Sequence, residues 1–375
     1  MPKILTIIGT RPEAIKMAPI IEKIKKDKKF DIKVCSSSQH KKMLSQVLNL
    51  FKIDTDFDLN IMSKNQSLNE ISSKIFKRID PVLDSYNPDL VLVHGDTTTT
   101  LSAAISAFHK KIKIGHVEAG LRTKNIYSPW PEEANRCLTS SITSFHFAPT
   151  QIARKNLINE GVKRNQIVVT GNTVIDALQR IIKMLKTNKK ISQSLQTKFK
   201  FLDKSKSMIL VTGHRRENFG EGIENICKSI ISISRLNSNV QIVYPVHLNP
   251  QIKQPVQSLL KGKKNIFLIE PQDYLSFCYL MLRSRLILSD SGGIQEEAIT
   301  LKRPVLVMRE FTERQEALKS GAVKLVGSSQ KKIVDSVNEL LRNAKQYNSM
   351  ILKTNPYGNG KASEKILNFL KRNIF

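Results

Sequence analysis

Leu90-Val91-Leu92-Val93-His94-Gly95-Asp96-Thr97-Thr98-Thr99-Thr100 is the stretch from which the fold can be read. Its first four residues are apolar without a break. That pattern suits a parallel strand buried on both faces, whereas a strand with one wet face alternates. A glycine then turns the chain, and an aspartate and a threonine open a helix patterned over 97–110. The stretch is therefore one strand–helix unit of a parallel sheet.

The same unit recurs on both sides of it. Strand patterns fall at 4–8, 32–36, 112–116, 145–148 and 167–170, with a helical pattern at 12–26. Residues 175–207 are helical, polar and rich in lysine, and after them the alternation restarts. The second series has strands at 208–212, 240–244, 266–269, 286–289, 305–308 and 323–326, with helices at 223–236 and 331–344. The predicted fold class is α/β, with two Rossmann-like doubly wound domains at 1–171 and 172–360 facing a cleft. Ligands of such sheets bind beyond the carboxyl ends of the strands, so the chemistry is expected immediately after them.

Composition narrows the function. Of 375 residues, 40% are hydrophobic and 25% charged, which fits globular domains with sizeable cores. Sixty Lys and Arg against 32 Asp and Glu give a net charge of +28, which raises nucleic acid as a partner. The lysines are scattered, however, and aromatics are only 6%, too few for a surface that stacks bases. A solvated basic surface is the expected reading, with no specific nucleic acid and no membrane as partners. No apolar run has membrane-spanning length, and the N-terminal apolar stretch is too short for a signal peptide. The four cysteines, Cys35, Cys137, Cys227 and Cys278, stand far apart, which suits a reducing cytoplasm and argues against a structural zinc site.

The unusual polar residues do follow strands. Gly9-Thr10-Arg11-Pro12-Glu13-Ala14-Ile15-Lys16 turns into a helix with Pro in its first turn, and Arg11 and Lys16 there suit a phosphate or diphosphate. An ordinary turn with a solvated Arg and Lys is the plain alternative. Asp96 and its four threonines make either a helix cap or a crowded hydrogen-bonding pocket. Glu118 follows a buried strand beside glycine, and Glu132 follows a Pro-Trp-Pro loop, where its plain role is to favour a helix start. In the second half, His214, Arg215 and Arg216 follow a strand, an anion site with a titratable donor or else a basic loop. Ser291-Gly292-Gly293 opens a helix whose amides can meet a phosphate, with Glu297 one turn inside it able to accept from ribose hydroxyls. Arg314 follows the next strand. Phosphate loops and carboxylates in both halves suit a nucleotide-sugar.

These residues resemble the non-hydrolysing UDP-N-acetylglucosamine 2-epimerase family of bacteria, over essentially the whole chain. The resemblance is carried by Gly9–Lys16 (GTRPEAIK), Val93–Thr100 (VHGDTTTT), Gly115–Arg122 (GHVEAGLR), Tyr127–Arg136 (YSPWPEEANR), Thr170–Asp176 (TGNTVID), Val211–Glu217 (VTGHRRE), Tyr244–Pro250 (YPVHLNP), Ser289–Ala298 (SDSGGIQEEA) and Asn355–Gly360 (NPYGNG). It implies a glycosyltransferase-B-like fold, a homodimer, and a last helix within 361–375 that packs back on the first domain. It implies reversible inversion at C2 of UDP-N-acetylglucosamine, through loss and re-addition of UDP, in the supply of cell-surface polysaccharide. No cofactor and no metal are implied. Asp96, Glu118, Glu132 and His214 match the catalytic positions. Arg11 and Lys16 match binding positions near the diphosphate, Gln272 and Phe277 the uracil pocket, Ser291, Gly292 and Gly293 the diphosphate amides, Glu297 the ribose and Arg314 the anion site. Gln315 stands where the family often has proline. Gln39, Arg215 and His247 resemble parts of a regulatory nucleotide-sugar site. A hydrolysing epimerase that releases N-acetylmannosamine, and a glycosyltransferase of the same fold, are the alternatives.

Overall fold

The computed structural model describes residues 1–38, 41–63 and 66–374. The chain forms two compact units, Met1–Gln179 with Tyr357–Phe375, and Arg180–Pro356. In the first unit the strands are β1 (Lys3–Ile8), β2 (Asp31–Ser36), β3 (Phe57–Asp58), β4 (Leu90–His94), β5 (Lys113–Val117), β6 (Phe145–Ala148) and β7 (Ile167–Val169). They form one parallel sheet in the order β3-β2-β1-β4-β5-β6-β7. In the second unit β8 (Ser207–Thr212), β9 (Val240–Pro245), β10 (Ile266–Ile269), β11 (Leu286–Ser289), β12 (Val305–Val307) and β13 (Val323–Leu325) form a parallel sheet in the order β10-β9-β8-β11-β12-β13. The α/β, doubly wound class is as expected. The strand not anticipated is β3, whose two residues carry no periodicity and which pairs only through Cys35 and Ser36 of β2.

Both strand orders reverse once. In the first sheet the reversal lies between β1 and β4, and in the second between β8 and β11. Loops leaving two such strands start side by side and diverge to opposite faces, so a crevice opens there. The unbroken apolar runs explain the sheets: Leu90, Val91, Leu92 and Val93 are all fully buried, as are Leu286, Ile287 and Leu288. Each unit has its own core. Leu5, Ile7, Val91 and Val93 pack against Ile75, Ile79 and Ala103 in the first, and Ile209, Val211, Ile242 and Leu288 against Ile226, Ile230 and Val337 in the second.

The end of the chain belongs to the first unit. The Asp176 carboxylate accepts from the amides of Ala362 and Ser363, at 3.1 and 2.9 Å, and so caps the last helix, Ala362–Asn373. That helix sets Phe369 edge-on against Phe145 and Phe147, with ring centres 5.3 and 5.6 Å apart. Among the described residues no helix is long and apolar enough to cross a membrane, and no His, Cys, Asp and Glu cluster could hold a metal ion.

Candidate active site

The candidate residues fall into two groups, one in each unit. In the first unit, Glu118 follows β5 with a backbone φ of +65°, a left-handed conformation uncommon for a side chain with a Cβ. Its Oε2 is ion-paired with Nζ of Lys16, both side chains being nearly buried, and accepts from Nδ2 of Asn172 at 2.5 Å. The ring of His94 is close, with Nε2 at 3.9 Å. Burial pushes the His94 pKa down to about 3 against the pull of Glu118, so the ring is neutral at pH 7.

Asp96 is held differently. Its Oδ2 accepts from Nη1 of Arg136 at 2.5 Å, and its backbone carbonyl from Nδ2 of Asn135 at 2.8 Å. Arg136 is buried and also donates through Nε and Nη2 to Oε2 of Glu133, at 3.0 and 2.6 Å. The other oxygen of Glu133 accepts from the amides of Thr123 and Lys124. Glu132 is the first residue of the helix Glu132–Ile142, where the helix dipole favours a carboxylate. Its Oε2 is buried with no hydrogen-bond partner among the described residues.

From the sequence, Arg11, Lys16 and the amides of the helix start after β1 together suit a phosphate, with an ordinary turn as the alternative. The amides of Gly9 and Thr10 donate to Oε2 of Glu13, at 3.0 and 2.6 Å. Oε1 of Glu13 accepts from the hydroxyls of Thr97 and Thr100. Burial raises the Glu13 pKa, and these hydrogen bonds oppose the rise. The four threonines are thereby accounted for in part: Thr97 caps the helix, Thr97 and Thr100 bind Glu13, and Thr99 shares a hydrogen bond with Ser37. Arg11 is the first residue of its helix, and Lys16 faces Glu118.

In the second unit His214 follows β8 and stacks on His247, with ring centres 5.8 Å apart and planes 27° apart. Burial lowers its pKa, opposed by Asp290 and reinforced by Arg215, His247 and Arg309. Arg314 is not a free cation. It is buried, and its Nε donates to Glu296 at 2.6 Å and its Nη1 to Glu313 at 3.1 Å. Burial alone would raise the pKa of Glu313, but Arg314, Arg309 and Arg215 outweigh it and hold it at about 2. The helix after Arg314 begins at Gln315, whose amide reaches back to the carbonyl of Thr312 at 2.6 Å.

The helix Gly292–Thr300 has Ser291 as its N-cap, and the serine's own side chain does not cap it. The Ser291 amide donates to the Ser289 hydroxyl at 3.0 Å. A Cβ on Gly292 would meet Oε1 of Glu313 at 2.6 Å, whereas one on Gly293 would meet nothing within 4 Å. Glu297 is buried and accepts from the Tyr274 hydroxyl at 2.6 Å. Gln272 donates to the carbonyl of Glu270 and keeps Oε1 buried without a partner among the described residues, while Phe277 is half-buried in the helix Tyr274–Arg283. Gln39 lies outside the described residues.

Sequence reasoning overlooked the partners: Glu13, Glu133, Arg136, Asn172, Tyr274 and Asp290. Two signals were available: Thr10 and Glu13 have the spacing of a capping box, and Glu133 and Arg136 stand three apart in a predicted helix and can pair.

Two doubly wound parallel sheets, with polar residues clustered where each strand order reverses, define a two-unit α/β protein of the glycosyltransferase-B-like type. The sequence profile of the UDP-N-acetylglucosamine 2-epimerase family matches residues 22–371. The UDP-N-acetylglucosamine 2-epimerase of Yersinia pestis is 54% identical over 369 residues, 98% of each chain, and that of Escherichia coli K12 is 52% identical over 371 residues, 99% of each. The crystal structure of the Neisseria meningitidis UDP-GlcNAc 2-epimerase bound to UDP-GlcNAc superposes with a TM-score of 0.96 at 51% identity, covering 99% of this chain and 100% of that one. The chain belongs to the UDP-N-acetylglucosamine 2-epimerase family.

Proposed function

We propose that this chain interconverts UDP-N-acetylglucosamine and UDP-N-acetylmannosamine, its substrates and products being UDP-sugars throughout. The observation that carries the reading is the set of carboxylates Asp96, Glu118 and Glu132 after the strands and turns of one sheet, the first two gripped by the cations Arg136 and Lys16. Family membership supplies the substrate.

The C2 proton of the sugar has no adjacent carbonyl, so direct removal is too costly. Breaking the C1–O bond to UDP first gives C1 positive character and acidifies that proton. Loss of the C2 proton then yields 2-acetamidoglucal and UDP. A proton delivered to the opposite face, with re-addition of UDP at C1, gives the epimer. Two faces need two proton-carrying groups, and Asp96, Glu118 and Glu132 supply them. Lys16 positions the Glu118 carboxylate and Arg136 that of Asp96. Arg11, His214 and the turn Ser291-Gly292-Gly293 favour the leaving diphosphate. Glu297 takes the ribose, Gln272 and Phe277 the uracil, and Arg314 shapes the turn through Glu296 and Glu313. Arg215 and His247, beside His214, belong to a regulatory nucleotide-sugar subsite.

The partner in solution is a second copy. Phe76, Phe108 and Leu138, on three neighbouring helices, are large apolar side chains left 37%, 54% and 54% exposed. The place of action is the cytoplasm, in keeping with the four free thiols. In deuterated water the product is expected to carry deuterium at C2, read by proton NMR. Retention of the original hydrogen would overturn the elimination route, and free N-acetylmannosamine would show a hydrolysing enzyme.

A further inference from the structure

Asp290 ends β11, next to the loop that ends β8, because Ser289 pairs with Thr212. It is fully buried. Its Oδ2 accepts from the backbone amides of His214 and Arg215, both at 2.8 Å, and from Nδ2 of Asn218 at 3.4 Å. Its Oδ1 is also buried, has no hydrogen-bond partner among the described residues, and stands 3.3 Å from Nδ1 of His214. One oxygen thus holds the loop that carries the histidine, and the other faces the ring. The His247 ring on which His214 stacks is set the opposite way, since its Nδ1 accepts from the amide of Asn249 at 3.1 Å.

We propose that Asp290 is a positioning residue that fixes the orientation and tautomer of His214. Nδ1 of His214 stands 3.3 Å from Oδ1 of Asp290, so a proton on Nδ1 is the one this carboxylate favours in the neutral ring, which leaves Nε2 bare. A carboxylate on the far side of an imidazole selects its tautomer and steadies the cation that forms when the exposed nitrogen takes a proton. In its neutral form His247 carries its proton on Nε2. The stacked pair therefore presents one Nε2 that accepts and one that donates. Groups facing His214 are Asp290, Arg215, His247 and Arg309.

The importance of His214 in turnover rests on the proposed function, but its tautomer does not, and the experiment separates the two. Protein labelled with 15N-histidine is observed by long-range 1H–15N correlation at pH 8, with the His214 signal identified by its loss in His214→Gln. The expected wild-type pattern is the Nδ1–H form, and in Asp290→Asn, whose amide NH₂ can donate to Nδ1, the Nε2–H form. Asp290→Asn is further expected to lower kcat/KM by about 10²-fold with little change in far-UV circular dichroism. An Nε2–H pattern in the wild-type protein overturns the proposal without recourse to any variant. So does an Asp290→Asn protein that folds and keeps the wild-type pattern. A correct tautomer in a protein without epimerase activity would leave the Asp290 assignment standing and sink the proposed function instead.

Discussion

Arg136 joins two carboxylates of the first unit. It is buried between Asp96 and Glu133, and Glu133 in turn holds the amides of Thr123 and Lys124. Replacing it with Met leaves the Glu133 carboxylate buried without its cation. The expected cost is about 3–5 kcal/mol, as for other buried pairs that lose one partner. A urea midpoint equal to that of the wild type would refute this. Gly120 carries a constraint of another kind: its φ is +88°, and a Cβ there would stand 2.3 Å from the backbone oxygen of Ala153. Gly120→Ala is therefore expected to lower the melting temperature, because backbone on backbone cannot yield as a side-chain tip can. At this scale the candidates at strand ends were legible, since Asp96, Glu118 and His214 stand out against apolar runs. Their partners were not. Lys16 meets Glu118 across 102 residues and Asn172 meets it across 54, and no local spacing encodes such pairs.

Three neighbouring strands, β4, β5 and β6, each bury a histidine. His116 pairs in register with His146, and His94 ends β4 opposite Val117. Burial is the main cause that pushes their pKa values from 6.5 down to about 3, 4 and 3 for His94, His116 and His146. Nε2 of His116 is 2.7 Å from the carbonyl of Gly95, to which it donates. Because the folded values lie below the unfolded ones, the unfolded chain takes up protons first as pH falls. The contribution of these rings to stability is full above about 6.5, is lost as pH falls, and levels off near 3 to 4. Each ring changes stability by up to about 1.4 kcal/mol per pH unit in that window. The urea midpoint is expected to drop between pH 7 and pH 5, and less steeply in His146→Gln. Equal midpoints at the two pH values would contradict the assignment. Twelve of the strands were foreseeable from short β-branched and apolar runs alternating with helical patterns, several of them unbroken, and the two-residue β3 was not, because so short a strand is made by its neighbour.

For the whole molecule, the charge of +28 and the oligomer are the properties at stake. Few of the basic residues lie in the two clusters, and there Lys16, Arg136 and Arg314 are each paired with a carboxylate. Long-range attraction from the excess lysines is expected to raise the local concentration of an anionic substrate. The expectation is that kcat/KM falls as salt rises, with kcat nearly unchanged, and a salt-independent kcat/KM would count against steering. Phe108→Glu places a charge among the exposed apolar side chains of the proposed contact. It is expected to halve the mass seen in sedimentation equilibrium, and a mass unchanged from the wild type would remove that face from consideration. The sequence by itself determined the class of fold, the restart of the alternation, and the positions where chemistry could stand. It could do so because buried parallel strands need unbroken apolar runs and their loops must open at the carboxyl ends. Only the tertiary structure decided which cation meets Asp96 and which meets Glu118, that Thr97 and Thr100 reach Glu13, that Asp290 faces His214, and that the chain end returns through Asp176. Those are contacts between residues far apart in the chain, set by strand order and packing rather than by spacing.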